Sequence, residues 1–231
     1  MKRKRIVVIG AGGMAREVAS AICWINRHKP TYDFLGYVVS DLSKLGARDS
    51  TDQVLGDFRW LQQNRKCVAF ALGVGAPAAR LRLAAELDAL LPGIEWPVLI
   101  HPTAVIDLES AKLGEGCFIG ARVVATVNIE LDAFALCNFG TTLGHEARVG
   151  RGSVINPGAN IAGGVVLGEG VAIGSGAQVL QYLHVGAGAV VGAGAVVTRN
   201  VPGGITVVGV PARPRAIVEE TALNEHKHYQ I

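Results

Sequence analysis

The hydrophobic positions in the second half of the chain recur at every sixth residue. Each sixth residue from Leu113 to Val197 is apolar, and nothing is inserted or deleted between these positions. The following residue is often glycine, and the fifth position of the hexapeptide is usually small or β-branched. A fixed hexapeptide period is typical of a parallel β-helix. The fifteen hexapeptides predict about five coils of three, in which residues 18 apart stack above one another.

The first part of the chain has a different pattern, in which short β-rich runs alternate with helical stretches. We predict strands over residues 6–9, 34–39 and 67–72, and helices over residues 14–27, 58–63 and 77–91. Asp57 is the expected cap of the second helix. Strands that alternate with helices indicate a small parallel, Rossmann-like sheet.

These two patterns divide the chain into an α/β front domain over residues 1–98 and a β-helix over residues 99–205. Residues 206–231 are expected to form a loop or tail, with a loosely attached helix or tail over residues 215–228. The glycines that follow the repeat positions are expected to permit tight corners between strands.

Composition and charge exclude several classes of protein. Half of the residues are hydrophobic, yet no apolar run reaches the roughly 18 residues of a membrane span. The net charge is only +3 and forms no basic stripe, so we expect no nucleic-acid partner. Cys23, Cys67, Cys117 and Cys137 have neither CxxC nor metal-ligand spacing, which favours a reducing cytoplasm.

A His-Glu pair interrupts the hexapeptides, in which most other exposed positions are small, acidic or glycine. His145 is the only histidine of the central coils, and Glu146 follows it directly. An imidazole is a common general base near pH 7, and a neighbouring carboxylate favours its protonated form. Adjacent residues on a strand point to opposite faces, so Glu146 can assist only at a corner. The alternative is that both are ordinary exposed residues.

Asn138 is a further candidate in the same coil. It is expected to stack one coil below Asn156. One interpretation is an asparagine ladder that satisfies backbone groups at a corner; the other is a hydrogen bond to an acceptor sugar. His101, His145 and His184 occupy different phases of the hexapeptide, so we expect no zinc site.

The front domain contains a candidate nucleotide site. The segment Gly10-Ala11-Gly12-Gly13-Met14-Ala15 follows the first predicted strand and opens the first helix, in the G-x-G-x-x-G/A pattern. Backbone N–H groups at such a helix start can hold a phosphate. Asp41, after the second strand, is where an acidic group would meet a ribose or base. The alternative is a glycine turn without a ligand.

Several motifs along residues 4–215 together resemble one group of enzymes: IGAGGMAREV, GYVVSD, VLGD, FALG, LIHPTAVI, the segment from Asn138 to Glu146, and VGVPARP. The chain resembles the sialic acid O-acetyltransferases and the bacillosamine and perosamine N-acetyltransferases, which are hexapeptide-repeat acyltransferases. The resemblance implies a left-handed β-helix and a homotrimer, with acetyl-CoA bound between neighbouring β-helices.

The resemblance also assigns roles to residues of this chain. It implies that His145 is the general base, that Glu146 supports it, and that Asn138 contacts the acceptor. The implied nucleotide-sugar contacts are Gly12, Gly13, Met14, Asp41 and Gly73. The implied CoA contacts, made largely through backbone groups, are Val154, Gly163, Ser175 and Ala193.

This sequence departs from the group at two positions. Met14 stands where many relatives have a histidine, so a polar contact to the sugar or phosphate is missing. Val154 stands near the place where many relatives have a second histidine, which would meet the thioester end of CoA.

We therefore expect an acetyl-CoA-dependent acetyltransferase that acts on an amino or hydroxyl group of a nucleotide-linked sugar in cell-surface glycan biosynthesis. The alternatives are O-acetylation of a free sugar such as sialic acid, transfer of another acyl group, and a non-catalytic trimeric nucleotide-binding or scaffold protein. An NAD-dependent oxidoreductase is a weaker alternative, because it rests on the glycine loop alone and leaves the hexapeptides unexplained.

Overall fold

The front domain is a four-stranded parallel sheet flanked by helices. The computed structural model describes residues 3–64 and 68–215. The strands are Lys4–Ile9 (β1), Tyr32–Val38 (β2), Val54–Gly56 (β3) and Val68–Leu72 (β4), in the order β3-β2-β1-β4. The helices are Gly13–His28 (α1), Phe58–Asn64 (α2) and Pro77–Leu90 (α3), and 3₁₀ turns at Leu42–Lys44 and Thr51–Gln53 join β2 to β3. The predicted small parallel sheet is confirmed; its three-residue edge strand β3 was not predicted.

The second half is a left-handed parallel β-helix, as expected. Three strands make one coil, and strands 18 residues apart pair in register: Leu136 lies beside Val154, and Cys137 lies beside Ile155. The strands β5 to β21 are, in chain order, Leu99–Ile100, Val105–Ile106, Lys112–Leu113, Phe118–Ile119, Val124–Ala125, Glu130–Leu131, Leu136–Cys137, Thr142–Leu143, Arg148–Val149, Val154–Ile155, Asn160–Ile161, Val166–Leu167, Ala172–Ile173, Gln178–Val179, His184–Val185, Val190–Val191 and Val196–Val197.

The repeat residues fill the interior of the coil. Ile155 and Ile173 are fully buried one above the other, and the small residues at the fifth position, such as Ala159 and Ala177, are buried beside them. The Ser153 hydroxyl is also inside, where it donates to the Gly168 carbonyl at 2.7 Å and accepts from Val171 N. A polar group that makes both bonds avoids the cost of burial.

The glycines after the repeat positions have a different purpose from the expected one. A Cβ on Gly114 would lie 2.4 Å from Ala133 N in the next coil, so these glycines permit close stacking of coils. The left-handed backbone that turns the corner occurs two residues later, as at Gly116 with φ +65°. The expectation of a corner glycine directly after the repeat residue was therefore wrong about the position.

The three sheets of the β-helix have different outer surfaces. The covered sheet (β5, β8, β11, β14, β17 and β20) packs against α1 through Leu99, Phe118, Leu136 and Val154. We call the second sheet the uncharged sheet (β6, β9, β12, β15, β18 and β21). The first residue of each of its two-residue strands is uncharged. The charged sheet (β7, β10, β13, β16 and β19) includes Lys112, Glu130 and Arg148, linked by ion pairs.

The covered sheet continues past the hexapeptides. Thr206–Val208 (β22) pairs with β20, and Arg213–Pro214 (β23) pairs antiparallel with β22. A loop or tail was expected here, because the hexapeptide period ends after Val201-Pro202. In the structure, Val207 pairs with Val191 across 16 residues rather than 18. The start of the third predicted strand at Cys67 and the segment 216–228 lie outside the described residues. Among the helices of the described part, none is long and apolar enough to cross a membrane.

Candidate active site

His145 and Glu146 occupy a corner between the uncharged and charged sheets. The turn over residues 144–147 joins β12 to β13, and Glu146 has a left-handed backbone with φ +61°. This turn breaks the alternation of a strand, so both half-exposed side chains lie on the same side. His145 Nδ1 is 3.4 Å from Glu146 Oε2. Glu146 can assist His145 only at a corner, and the two residues do lie at one.

The next coil forms a seat for the imidazole. A Cβ on Gly163 would lie 2.4 Å from His145 Nε2, so the ring rests directly on the Gly163 backbone. Gly164 N donates to the His145 carbonyl at 2.7 Å, which holds the two coils together at this point. Gly163 was predicted as a CoA contact; in this chain it lies beneath the imidazole.

Tyr182 also lies beside His145 and was missed in the sequence analysis. Its ring centroid is 6.3 Å from that of His145, with the planes tilted by 60°. Tyr182 lies 36 residues after Glu146, so it occupies the same corner two coils further on. The signal available in the sequence was an aromatic residue at a corner position that other coils fill with Asn128, Glu146 and Gly164.

Asn138 lies at a different corner, between the covered and uncharged sheets. Its Oδ1 accepts a hydrogen bond from Phe139 N at 2.8 Å, and the residue is only 8% exposed. Asn156 directly above donates to the Ile173 carbonyl, so both asparagines serve corner backbone groups. The structure therefore does not bring Asn138 to the His145 of the same chain.

Asn138 instead lines a cleft between α1 and the covered sheet, which we call the interdomain cleft. The cleft has a volume of about 250 Å³. Its lining residues are Glu17, Ser20, Ala21, Trp24, His101, Phe118, Gly120, Ala121, Asn138 and Phe139. Half-exposed aromatic rings beside carboxylate, amide and imidazole groups are typical of a pocket for a small polar ligand.

The titratable groups of the interdomain cleft are perturbed by burial. Burial raises the pKa of the Glu17 carboxyl and lowers the pKa of the His101 imidazole, so His101 is neutral at pH 7. His101 Nδ1 accepts from Thr103 N at 3.2 Å, which leaves Nε2 to carry the proton. None of the described residues that line the cleft is Lys or Arg, and the nearby Arg27 stacks on the Trp24 ring.

The predicted nucleotide site is a second pocket, at the carboxyl ends of the front-domain strands. Gly10, Ala11, Asp41 and Lys44 are among the residues that line about 160 Å³. Hydrogen bonds from the Ser43 hydroxyl and backbone N–H lower the pKa of Asp41, and Lys44 contributes less. The structure thus brings Asp41 to the glycine loop.

The other predicted nucleotide contacts surround this pocket without lining it. Gly12 caps α1, and Gly13 and Met14 are its first two residues. Gly73 directly follows β4, and a Cβ there would lie 2.6 Å from Val8 and 2.7 Å from Ala15, so only glycine fits between strand and helix.

The predicted CoA contacts do not form one site within this chain. Val154 is 1% exposed and packs under the front domain, so its side chain is unavailable to a ligand. Ser175 and Ala193 lie one above the other at the corner between the covered and uncharged sheets, whereas Gly163 lies at the His145 corner. Within residues 3–64 and 68–215 no three His, Cys, Asp or Glu side chains form a metal-binding group.

Comparison with known proteins finds a matching repeat family and several similar solved structures. The profile of the family described as bacterial transferase hexapeptide (six repeats) matches residues 146–181. PerB from Caulobacter crescentus, solved with CoA and GDP-perosamine, is 29% identical over 91% of this chain and 96% of its own, with a TM-score of 0.79.

Two further structures are similar over nearly the whole chain. The acetyltransferase domain of PglB from Neisseria gonorrhoeae is 29% identical over 92% of this chain and 100% of its own, with a TM-score of 0.66. WeeI from Acinetobacter baumannii is 28% identical over 91% of this chain and 99% of its own, with a TM-score of 0.76. A search of curated proteins finds no match.

The β-helix, the match to the hexapeptide transferase profile and the similar acetyltransferase structures support an acyltransferase. The similarity to PerB, PglB and WeeI covers the front domain as well as the β-helix. These similarities support, over nearly the whole chain, the resemblance to the hexapeptide-repeat sugar acetyltransferases.

Proposed function

We propose that this protein transfers an acetyl group from acetyl-CoA to the amino group of a nucleotide-linked sugar. The observation that carries the proposal is the His145–Glu146 pair, held at a β-helix corner on the Gly163 backbone. The similar PerB structures contain CoA and GDP-perosamine, and a PglB structure contains acetyl coenzyme A. In this proposal the front domain holds the nucleotide at Gly12, Gly13, Met14, Asp41 and Gly73.

The geometry of the pair suits a direct transfer. Glu146 lies beside His145 Nδ1 and favours a proton there, which leaves the Nε2 lone pair to accept one from the acceptor. As the acceptor nitrogen attacks the thioester carbonyl, the C–N bond forms, the C–S bond breaks, and the proton passes through His145 to the CoA thiolate. Backbone N–H groups of the coils would stabilise the oxyanion.

A complete site requires a second copy of the chain. Asn138 and His145 follow consecutive strands, β11 and β12, and lie at opposite edges of the uncharged sheet. We therefore propose a homotrimer, in which a sugar held at Asn138 of one copy meets His145 of its neighbour. CoA would lie between neighbouring β-helices, between the Gly163 edge of one copy and the Ser175 and Ala193 edge of the next.

The uncharged sheet supports packing against another copy. Thr142 donates to Asn160 Oδ1 at 2.6 Å, and Asn160 Nδ2 donates to Gln178 Oε1 at 3.1 Å. Val105 and Val124 extend this ladder as exposed apolar residues. Side chains whose polar groups are already paired, beside apolar ones, lose little on burial in an interface.

The interdomain cleft favours an amine over a hydroxyl acceptor. Among the described residues that line the cleft, Glu17 is the only carboxylate. A carboxylate without a facing Lys or Arg complements a sugar amine, which binds as the ammonium ion and releases one proton to solvent before the neutral amine attacks. Asn138 and His101 each have an N–H group to donate to ring hydroxyls, while Trp24 and Phe139 present aromatic faces to the apolar face of a sugar.

The general base is tested by His145→Ala. We expect kcat to fall by roughly 10²–10⁴, the usual contribution of a general base. The measurement is thiol release from acetyl-CoA with a nucleoside-diphosphate-linked 4-amino sugar. His184→Ala, an exposed histidine on the charged sheet, is the matched control and should keep full activity. If His145→Ala keeps the wild-type kcat on a substrate that the wild type acetylates, the mechanism is wrong.

The preference for an amine is tested by Glu17→Gln. We expect the KM for the amino sugar to rise by about tenfold, the loss of one charge-assisted hydrogen bond. The KM for the hydroxyl analogue should not change. Glu86→Gln on the outer face of α3 is the control. If KM rises equally for the amine and the hydroxyl substrates, Glu17 does not select the acceptor.

A binding protein without catalysis is distinguished by thermal shift. Acetyl-CoA and nucleotide sugars should each raise Tm, because a ligand that binds only the folded state stabilises it. A rise in Tm with nucleotide sugars or NAD, but with no CoA ester, would favour a scaffold or nucleotide sensor instead.

The buried Cys117 and Cys137 thiols form no disulfide, which is compatible with action in a reducing cytoplasm.

A further inference from the structure

We propose that Tyr182 is a positioning residue that holds the His145 imidazole in its reactive orientation. The inference rests on the proposed function, because it assumes that His145 is the base. Tyr182 lies in the turn between β18 and β19, two coils above Glu146 and at the same corner. Its ring reaches back over the intervening coil to stand beside the imidazole.

The backbone at Tyr182 is unfavourable for a residue with a side chain. Its φ is +58°, in the left-handed region that glycine and asparagine adopt most easily. Burial does not compensate for this, because Tyr182 is 66% exposed. An exposed aromatic residue in such a conformation suggests a requirement other than stability.

Two consecutive glycines, Gly163 and Gly164, leave room in the coil for the two rings. Gly163 lies under the His145 ring, and Gly164 lies under Tyr182, where a Cβ would be 2.3 Å from Cδ1 of the tyrosine. Tyr182 N also donates to the Gly163 carbonyl at 2.9 Å. The backbone that seats the imidazole is therefore hydrogen-bonded to the residue whose ring stands beside it.

Three groups then limit the movement of the imidazole. The Gly163 backbone closes the space below it, the Glu146 carboxylate lies at Nδ1, and the Tyr182 ring stands 6.3 Å away at a tilt of 60°. Removal of the tyrosine ring opens one side, so the imidazole gains rotamers in which Nε2 no longer faces the acceptor. Catalysis by a positioned base is sensitive to such misplacement.

The test is Tyr182→Gly, which removes the ring and relieves the backbone. We expect the thermal stability to be equal to or above that of the wild type, while kcat falls by about ten- to a hundredfold. The KM for acetyl-CoA should change little, and Tyr182→Phe should restore kcat, because it retains the ring. Arg122→Gly, at another non-glycine left-handed corner, is the control and should keep kcat.

A second measurement separates this inference from the proposed function. In ¹H–¹³C spectra of ring-labelled histidines, with His145 assigned from His145→Ala, Tyr182→Gly should shift or broaden the His145 signal and leave His184 unchanged. If the wild type acetylates no sugar, the proposed function fails, and this signal still tests the ring contact. An unchanged His145 signal, an unchanged kcat in an active enzyme, or a large loss of stability in Tyr182→Gly each overturns the inference.

Discussion

At the scale of single residues, the sequence indicated His145 and Glu146 because a His-Glu pair stands out in a bland repeat. It did not indicate what surrounds them, since the neighbours of the imidazole come from coils 18 and 36 residues away. Gly163, predicted as a CoA contact, also supports the ring, and Tyr182 was missed. Val154 was also assigned to CoA, although its side chain packs under the front domain.

Gly163→Ala tests the seat of the imidazole directly. The added methyl would lie 2.4 Å from His145 Nε2, so the ring must move away. We expect kcat to fall at least about tenfold, because misplacement of a catalytic group is costly, while the unfolding free energy changes little. Enzyme assays and thermal unfolding measure the two quantities.

Gly188→Ala is the matched control for this change. Its φ of +67° makes any side chain unfavourable, but its nearest atom is 4.0 Å away. We expect it to lose roughly 1–2 kcal/mol of stability and to keep kcat, the opposite pattern. Equal kcat in the two variants would contradict the role of Gly163.

At the scale of elements, the hexapeptide period predicted every strand from β7 to β21, because a strict spacing leaves one register for stacking coils. The helices and central strands of the front domain were also predicted, to within a few residues at their ends. The missed strands β3, β5, β6, β22 and β23 are two or three residues long and lie at sheet edges or after the period lapses. Their partners, rather than their own residues, determine that they are strands.

At the scale of the whole molecule, Arg80 links the two halves. Its guanidinium is fully buried, and burial lowers its pKa to about 10. Nε donates to the carbonyl of Phe134 in the β-helix at 3.0 Å, and a terminal nitrogen donates to Val74 in the front domain at 2.8 Å. Phe134 itself packs into the front-domain core with Phe70 and Trp96.

Arg80→Met should weaken this link. The carbonyl groups of Phe134, Val74 and Leu72 lose their donor. We therefore expect a loss of about 1–3 kcal/mol, seen in calorimetry as melting of the front domain before the β-helix. Arg82→Met, exposed on the same helix, should stay within about 0.5 kcal/mol of the wild type. A single unchanged transition in Arg80→Met would exclude Arg80 as the link.

The sequence alone determined the architecture of this protein and its candidate base, because both depend on local spacing: six residues per strand and a polar pair that breaks the pattern. Tertiary structure alone decided which groups meet. The corner turned Glu146 toward His145, the next coil put Gly163 beneath it, and packing of α1 on the covered sheet put Asn138 into the interdomain cleft. Such contacts depend on the stacking of coils and domains, and no single segment of sequence encodes them.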